Sequence, residues 1–295
     1  MVKTDRRIIA SNGRTSLEIT NPPFYVKETE GFDELSVTTV TSQGFDQDGA
    51  TIINTYVESR EMSITGQVKA DTTQQMEMLM NKLENLFLPK TDITLNHYYG
   101  GVNRTITARV TKTPTFKLSE VSSVREYEVE LISASDVWWS DASEKLVQIA
   151  NIIGQFHFPL IIPKNEGVVF GLKSSALIAD VFNASAITIG MRIVFIANGE
   201  LKNPMLFNVN TREFIRINCT MHAGESITVL TGTNKKVTKT VNGVEENYIN
   251  RIDIAGGGST FLTLEPGDNL FRYGADDGES FLECRIFYRN KYVGV

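Results

Sequence analysis

Side chains able to do chemistry are few and scattered. Zinc needs clustered nitrogen and sulfur ligands, yet His97, His157 and His222 lie far apart, and neither a His-Glu-x-x-His nor a Cys-x-x-Cys spacing occurs. His222 follows Cys219 by three residues, an offset that puts the two on opposite faces of a strand. Asp46-Gln47-Asp48-Gly49 has the look of a calcium loop. With Gly49 at loop position six, however, Gly44 and Thr55 fall at positions one and twelve, where carboxylates are required. Gly256-Gly257-Gly258-Ser259-Thr260 lacks the lysine and the following helix of a phosphate loop and reads as a turn. No Gly-x-Ser-x-Gly elbow is present. The carboxylate pairs Glu245/Glu246 and Asp276/Asp277 are adjacent in the chain, so on a strand they diverge rather than face each other across the ~5 to 10 Å of a glycosidase cleft. The sequence therefore predicts no catalytic residue, metal ligand or cofactor site, and a protein that is not an enzyme.

The remaining charged and aromatic groups read as surface and packing. With 29 Lys plus Arg against 35 Asp plus Glu, a broad phosphate-binding face is not expected. Lys235, Lys236 and Lys239 with Arg212 and Arg216 make the second half locally basic and read as edge-strand protection or a subunit interface. Cys219 and Cys284, without an export signal, read as buried thiols. Trp138-Trp139 is expected to be buried at a domain junction, the alternative being stacking on sugar rings. Phe156-His157-Phe158-Pro159-Leu160 reads as an interface or domain-closing strand. The longest apolar run, Ile193 to Ala197, is far too short to span a bilayer.

The elements that carry these residues are mainly β. Thr105 to Val110 alternates, with Ile106, Ala108 and Val110 on one face. Glu126-Tyr127-Glu128-Val129-Glu130-Leu131 does the same, which sets Glu126, Glu128 and Glu130 together on the wet side of a sheet. Further strands are expected at 36–40, 61–68, 93–98, 193–196, 212–219, 226–231, 236–241, 261–264 and 281–288, with a long hairpin or loop around Gly44 to Gly49. Over Thr72 to Phe87 the apolar residues Met76, Leu79, Met80, Leu83, Leu86 and Phe87 fall on one helical face, with Thr72 and Gln75 as a capping box and Pro89 as the stop. A helix this short needs a sheet to dock on. The small, polar stretch after Trp139 divides the chain into an α+β N-terminal domain, 1–140, and an all-β C-terminal sandwich, 141–295.

Taken in order, these features resemble a known family. Gln47-Asp48-Gly49, Arg60 to Gly66, the helix running into Leu88-Pro89, and the Gly100-Gly101 hairpin come first. Glu126 to Ile132 leading into Trp138-Trp139, Pro159-Leu160, Leu264 to Asn269 and the closing Tyr288 to Val295 follow. The string is similar to the distal tail proteins, called Dit, of long-tailed phages that infect Gram-positive bacteria. It departs from them at Asp136-Val137, where the family often has Asp-Pro, and it leaves no room for an inserted carbohydrate-binding module. The resemblance implies a tail-tube-like N-terminal belt domain and a galectin-like C-terminal sandwich. It also implies a hexameric ring, single or paired back to back, that joins the tail tube to the tail-associated lysin or hub, anchors receptor-binding proteins and passes DNA through a central channel. Such a protein resides in the virion tail tip, assembles in the bacterial host cytoplasm, and needs no membrane or cofactor. In a ring Glu126, Glu128 and Glu130 could line the channel and repel DNA phosphates, or lie on the outer surface, since alternation fixes only a shared face. The alternative function is a module binding cell-wall glycans, although both tryptophans precede the sandwich, so a lectin's ligand set does not carry over. A wall-degrading enzyme would need a metal triad or an acid pair, and the sequence offers neither.

Overall fold

A computed structural model describes residues 6–118, 123–154, 171–175, 178–254 and 258–295. The chain divides into two compact units: one ends at Ala142 and takes in Lys291–Val295, and the other is Ser143–Asn290. The chain thus returns to the first unit for its last five residues, a return absent from a reading of 141–295 as one C-terminal domain.

The first unit contains β1 (Arg7–Ser11), β2 (Ser16–Glu18), β3 (Phe24–Glu30), β4 (Val37–Ser42), β5 (Thr51–Val57), β6 (Arg60–Lys69), α1 (Thr73–Leu86), β7 (Asp92–Tyr99), β8 (Val102–Leu118), β9 (Val124–Ser133) and β10 (Trp139–Asp141). Its main sheet runs β2-β1-β7-β8-β9-β6-β3, and every described pairing in it is antiparallel. Alternation works as read from the sequence. Ile64, Val68, Leu95, Ile106, Ala108, Tyr127, Val129 and Leu131 are buried on one face, while the residues between them are wholly or partly exposed. That apolar face receives α1 through Met76, Leu79, Leu83 and Leu86. The Thr72 hydroxyl accepts from the Gln75 amide at 3.2 Å, and the Gln75 side chain accepts from the Asp71 amide at 3.1 Å, so two otherwise orphaned donors are satisfied at the helix start.

The second unit contains β11 (Lys145–Gln148), β12 (Ala150–Gly154), β13 (Gly171–Ser175), β14 (Ala179–Asn183), β15 (Arg192–Ala197), β16 (Leu201–Lys202), β17 (Met205–Asn208), β18 (Phe214–Arg216), β19 (Thr220–Met221), β20 (Ser226–Leu230), β21 (Lys236–Val241), β22 (Val244–Asn247), β23 (Gly267–Gly274) and β24 (Leu282–Tyr288). A six-stranded sheet, β11-β24-β15-β20-β21-β22, and a four-stranded sheet, β14-β23-β17-β18, share one core. Ile193, Phe195, Ile227, Val229 and Ile286 come from the first sheet, and Val181, Leu206, Ile215, Phe271 and Tyr273 from the second. The strand β25 (Lys291–Tyr292) belongs to the first unit.

Two expected strands differ. Phe261 to Leu264 is a single bridge, Ile189 with Leu264, rather than a strand. The stretch 212–219 is strand only over Phe214–Arg216, because Arg212 takes a φ of +63° and ends the turn before it. Phe156 to Leu160 and Gly256-Gly257 lie outside the described residues.

Candidate assembly surfaces

Glu126, Glu128 and Glu130 stand on β9 opposite Gln67, Thr65 and Ser63 of β6 and opposite Lys117, Thr115 and Lys112 of β8. Each is partly exposed, and each has a cation. Lys27 binds Glu126, Lys112 reaches Glu130 at 2.7 Å and Glu128 at 3.6 Å, and Lys117 reaches Glu128 at 3.6 Å. The Lys27 ammonium, with Gln67, holds the Glu126 carboxyl below its ordinary range. A β-bulge between Val26 and Glu28 brings Lys27 into play. The glutamates are thus half of a charge-balanced lattice rather than a bare acidic stripe, and the alternation of β9 alone does not disclose the lysines. A surface cavity of about 340 Å³ lies beside them, lined in part by Glu30, Glu61, Glu128 and Glu130.

Among the described residues, the hairpin β4–β5 forms a two-stranded sheet of its own. Every residue of β5 is exposed, Ile52 and Ile53 at 64% and 65%, as are Val37, Val40 and Tyr56. Cross-strand register puts Val37 beside Val57 on one face and Val40 and Tyr56 on the other, so apolar side chains face water on both sides. Two-stranded ribbons are at best marginally stable alone in water. A ribbon with exposed apolar side chains on both faces has no core of its own to hold it. The turn at its tip is held by Gly44 donating to the Gln47 side chain at 2.9 Å and by the Gln43 amide donating to the Gln47 carbonyl at 3.0 Å.

The strand β25 forms a clasp. Trp139 pairs with Tyr292, and Ser140 with Lys291. The Arg60 guanidinium, buried beneath, donates to the carbonyls of Val137 at 2.7 Å, Gly31 at 2.7 Å, Phe32 at 3.0 Å, and Val293. Arg104 stacks on the Tyr292 ring at 3.9 Å and binds the Gly294 carbonyl. Lys291 binds the Asp136 carboxylate at 2.8 Å and 2.9 Å. Only a five-donor fork gathers so many carbonyls. Sequence reading found Arg60 in a strand and missed this role, because the carbonyls it collects come from distant parts of the chain.

Residues weighed for chemistry are occupied elsewhere. Trp139 is fully buried, donates to the Phe32 carbonyl at 2.9 Å and packs on the Phe32 ring, while Trp138 is half-buried. His97 is buried, and its Nε2 accepts from Arg6 at 2.9 Å. Burial first, and then Arg6, push its pKa down to about 4. Cys284 is fully buried and Cys219 half-buried, and desolvation raises both thiols, Cys219 to about 11. Among the described residues no group of His, Cys, Asp and Glu is arranged to hold a metal ion, and no helix is long and apolar enough to cross a membrane.

A mostly β chain of this kind defines a structural component of a phage tail once its relatives are considered. The phage tail protein RIFT-related domain matches residues 13–159, and the siphovirus-type tail component C-terminal domain matches residues 185–292. The chain belongs to the siphophage distal tail protein family, and its role is structural, in the tail and baseplate of the virion. The fold is similar to the crystal structure of the Dit protein of phage SPP1, described as a paradigm of the hub adsorption apparatus in Gram-positive-infecting phages. That match has a TM-score of 0.69 at 12% identity and covers 97% of this chain and 99% of that one. It is also similar to chains of the phage p2 baseplate in its activated conformation with calcium or strontium. Those matches have TM-scores of 0.54 and 0.55 at 10% identity and cover 98% of this chain and 99% of each. No curated protein matches the sequence.

Proposed function

We propose that this chain is the subunit of a hexameric ring at the tail tip that joins the tail tube to the hub or lysin, holds receptor-binding proteins and passes DNA through its centre. The observation that carries the reading is the free hairpin β4–β5, whose apolar residues are exposed on both faces and require a neighbour. A head-to-tail contact of this kind closes into a ring when its rotation closes. The first unit supplies the belt, the second a galectin-like sandwich projecting from it, and no catalytic step is assigned to either. Assembly takes place in the bacterial host cytoplasm before the tail is complete.

In such a ring the Glu126, Glu128 and Glu130 face lines the channel. Its task there is compensation: the three carboxylates neutralise Lys27, Lys112 and Lys117, which would otherwise hold phosphates. Light scattering with negative-stain imaging of the purified chain tests the reading. Six copies, or twelve in paired rings, around a central hole are expected. A chain that remains monomeric even with its tube and hub neighbours would overturn it.

A further inference from the structure

Asn-Gly is the dipeptide in which an asparagine side chain is most readily attacked by its own backbone, because glycine has no side chain to hinder closure of the succinimide ring. The chain holds three, Asn12-Gly13, Asn198-Gly199 and Asn242-Gly243. Their surroundings differ. The Asn12 side chain is fully engaged: its Oδ1 accepts from the amides of Arg14 at 3.0 Å and Thr15 at 2.8 Å, and its Nδ2 donates to the carbonyls of Asn85 at 3.0 Å and Leu86 at 3.1 Å. The Gly13 amide, which would have to attack it, donates to the Ser11 hydroxyl at 3.3 Å. Asn198 is held through the backbone. Its amide donates to the Phe281 carbonyl at 2.9 Å, and the preceding Ala197 donates to the Glu225 carbonyl and accepts from the Gly224 amide. Gly199 lies so close to the Phe281 ring that an added Cβ would stand 2.6 Å from it.

Asn242-Gly243 has neither restraint. The pair forms the loop of the β21–β22 hairpin, between the register partners Val241 and Val244, with φ of +49° and +80°, the left-handed pair of a type I′ turn. In such a turn the backbone bonds belong to the flanking residues, which leaves the Gly243 amide to water. Both residues are exposed, and a Cβ on Gly243 would meet nothing within 4 Å. Ring closure requires the turn to leave its left-handed form, and the strand that must yield is β22, an edge strand exposed at all four positions. Its ion pair, Lys236 with Glu245 at 3.7 Å, is a surface contact of little strength. Beyond β22 the Tyr248 amide donates to the Val237 carbonyl at 2.8 Å, so the opening need reach no further than Asn247.

We propose that Asn242 is a self-modification site, converted to isoaspartate by its neighbour Gly243. The Gly243 backbone nitrogen, giving up its proton to solvent base, bonds to the Asn242 Cγ, and the side-chain nitrogen leaves as ammonia. Water then attacks the Asn242 main-chain carbonyl of the succinimide and breaks its bond to the Gly243 nitrogen. The main chain now runs through Cβ and Cγ, and the former main-chain carbonyl becomes a free carboxylate. The sum is an amide and water giving a carboxylate and ammonia, with no change of oxidation state. The lengthened turn no longer matches the pairing of Val241 with Val244, so β22 loosens from β21, and the new charge joins Glu245 and Glu246. This assignment stands independently of the ring reading.

The test holds the full chain in mildly alkaline heavy-oxygen water, native and in urea, and then digests it in ordinary water. Electron-transfer fragmentation of the peptides distinguishes isoaspartate from aspartate, and heavy oxygen marks what formed during the incubation. The native chain is expected to convert Asn242 at least about tenfold faster than Asn12 or Asn198, and the unfolded chain to convert all three at similar rates. Asn242→Gly, which keeps a pair that type I′ turns accept, should melt like the wild type and form no product at this turn. A native Asn242 no faster than the other two would overturn the assignment. So would the same preference persisting in urea, since flanking sequence rather than the fold would then set it.

Discussion

At the scale of single residues, the charge lattice on β9 gives the sharpest expectation. Replacing Glu126, Glu128 and Glu130 with Gln leaves Lys27, Lys112 and Lys117 without these partners, so the variant should retain duplex DNA at low salt in a gel-shift assay and release it as salt rises, and the wild type should retain none. Equal DNA retention by both would show that the glutamates compensate nothing. His97 sets a pH dependence. Its folded pKa, about 4, lies below the ordinary 6.5, so between those values the unfolded chain takes up a proton that the folded chain refuses. The contribution is therefore complete above pH 6.5 and lost as pH falls toward 4, amounting to at most about 3 kcal/mol. Between pH 6.5 and 4 the urea midpoint should fall further for the wild type than for H97Q. Arg60→Leu strands four carbonyls and should cost about 3 kcal/mol or more in the same melts. That the three glutamates share one face of β9 was legible in the sequence. The compensating lysines and the Arg60 cage were not, since strand periodicity says which side a residue faces and nothing about which strand lies beside it.

Elements were legible where a local rule acts alone. The α1 helix carries its cap, stripe and stop within its own residues, and Thr72→Ala should cost about 1 kcal/mol by thermal melting. The β8 and β9 alternation likewise predicts which side chains are buried. The strand β5 escaped reading because a register shift between Val40 and Thr41 leaves Ile53 extra, which breaks the period of two on which such readings depend. The main sheet also holds a constraint that no pattern reports. Gly66 lies against Tyr127, whose hydroxyl would stand 2.5 Å from an added Cβ. Gly66→Ala should therefore destabilise the unit by roughly 1 to 3 kcal/mol in urea, through overpacking rather than backbone strain.

For the whole molecule, a composition shift near residue 140 signals two units, but only the structure gives the first one its last strand, because pairing between residues so far apart leaves no local mark. The second unit is inserted between β10 and β25, whose neighbouring residues Ser140 and Lys291 are in register. Replacing 143–290 with a short Asn-Gly turn should therefore close a hairpin and leave a folded first unit, judged by a cooperative melt and native-like Trp139 fluorescence. A molten product would show that the second unit is needed for the first to fold. The same topology bears on synthesis. The strand that Arg60 and Arg104 grip leaves the ribosome only after the entire second unit has been made. A polypeptide that stops before Lys291 thus leaves Arg60 without the Val293 carbonyl and Arg104 without that of Gly294. The order of the chain itself thus ties completion of the first unit to prior synthesis of the second.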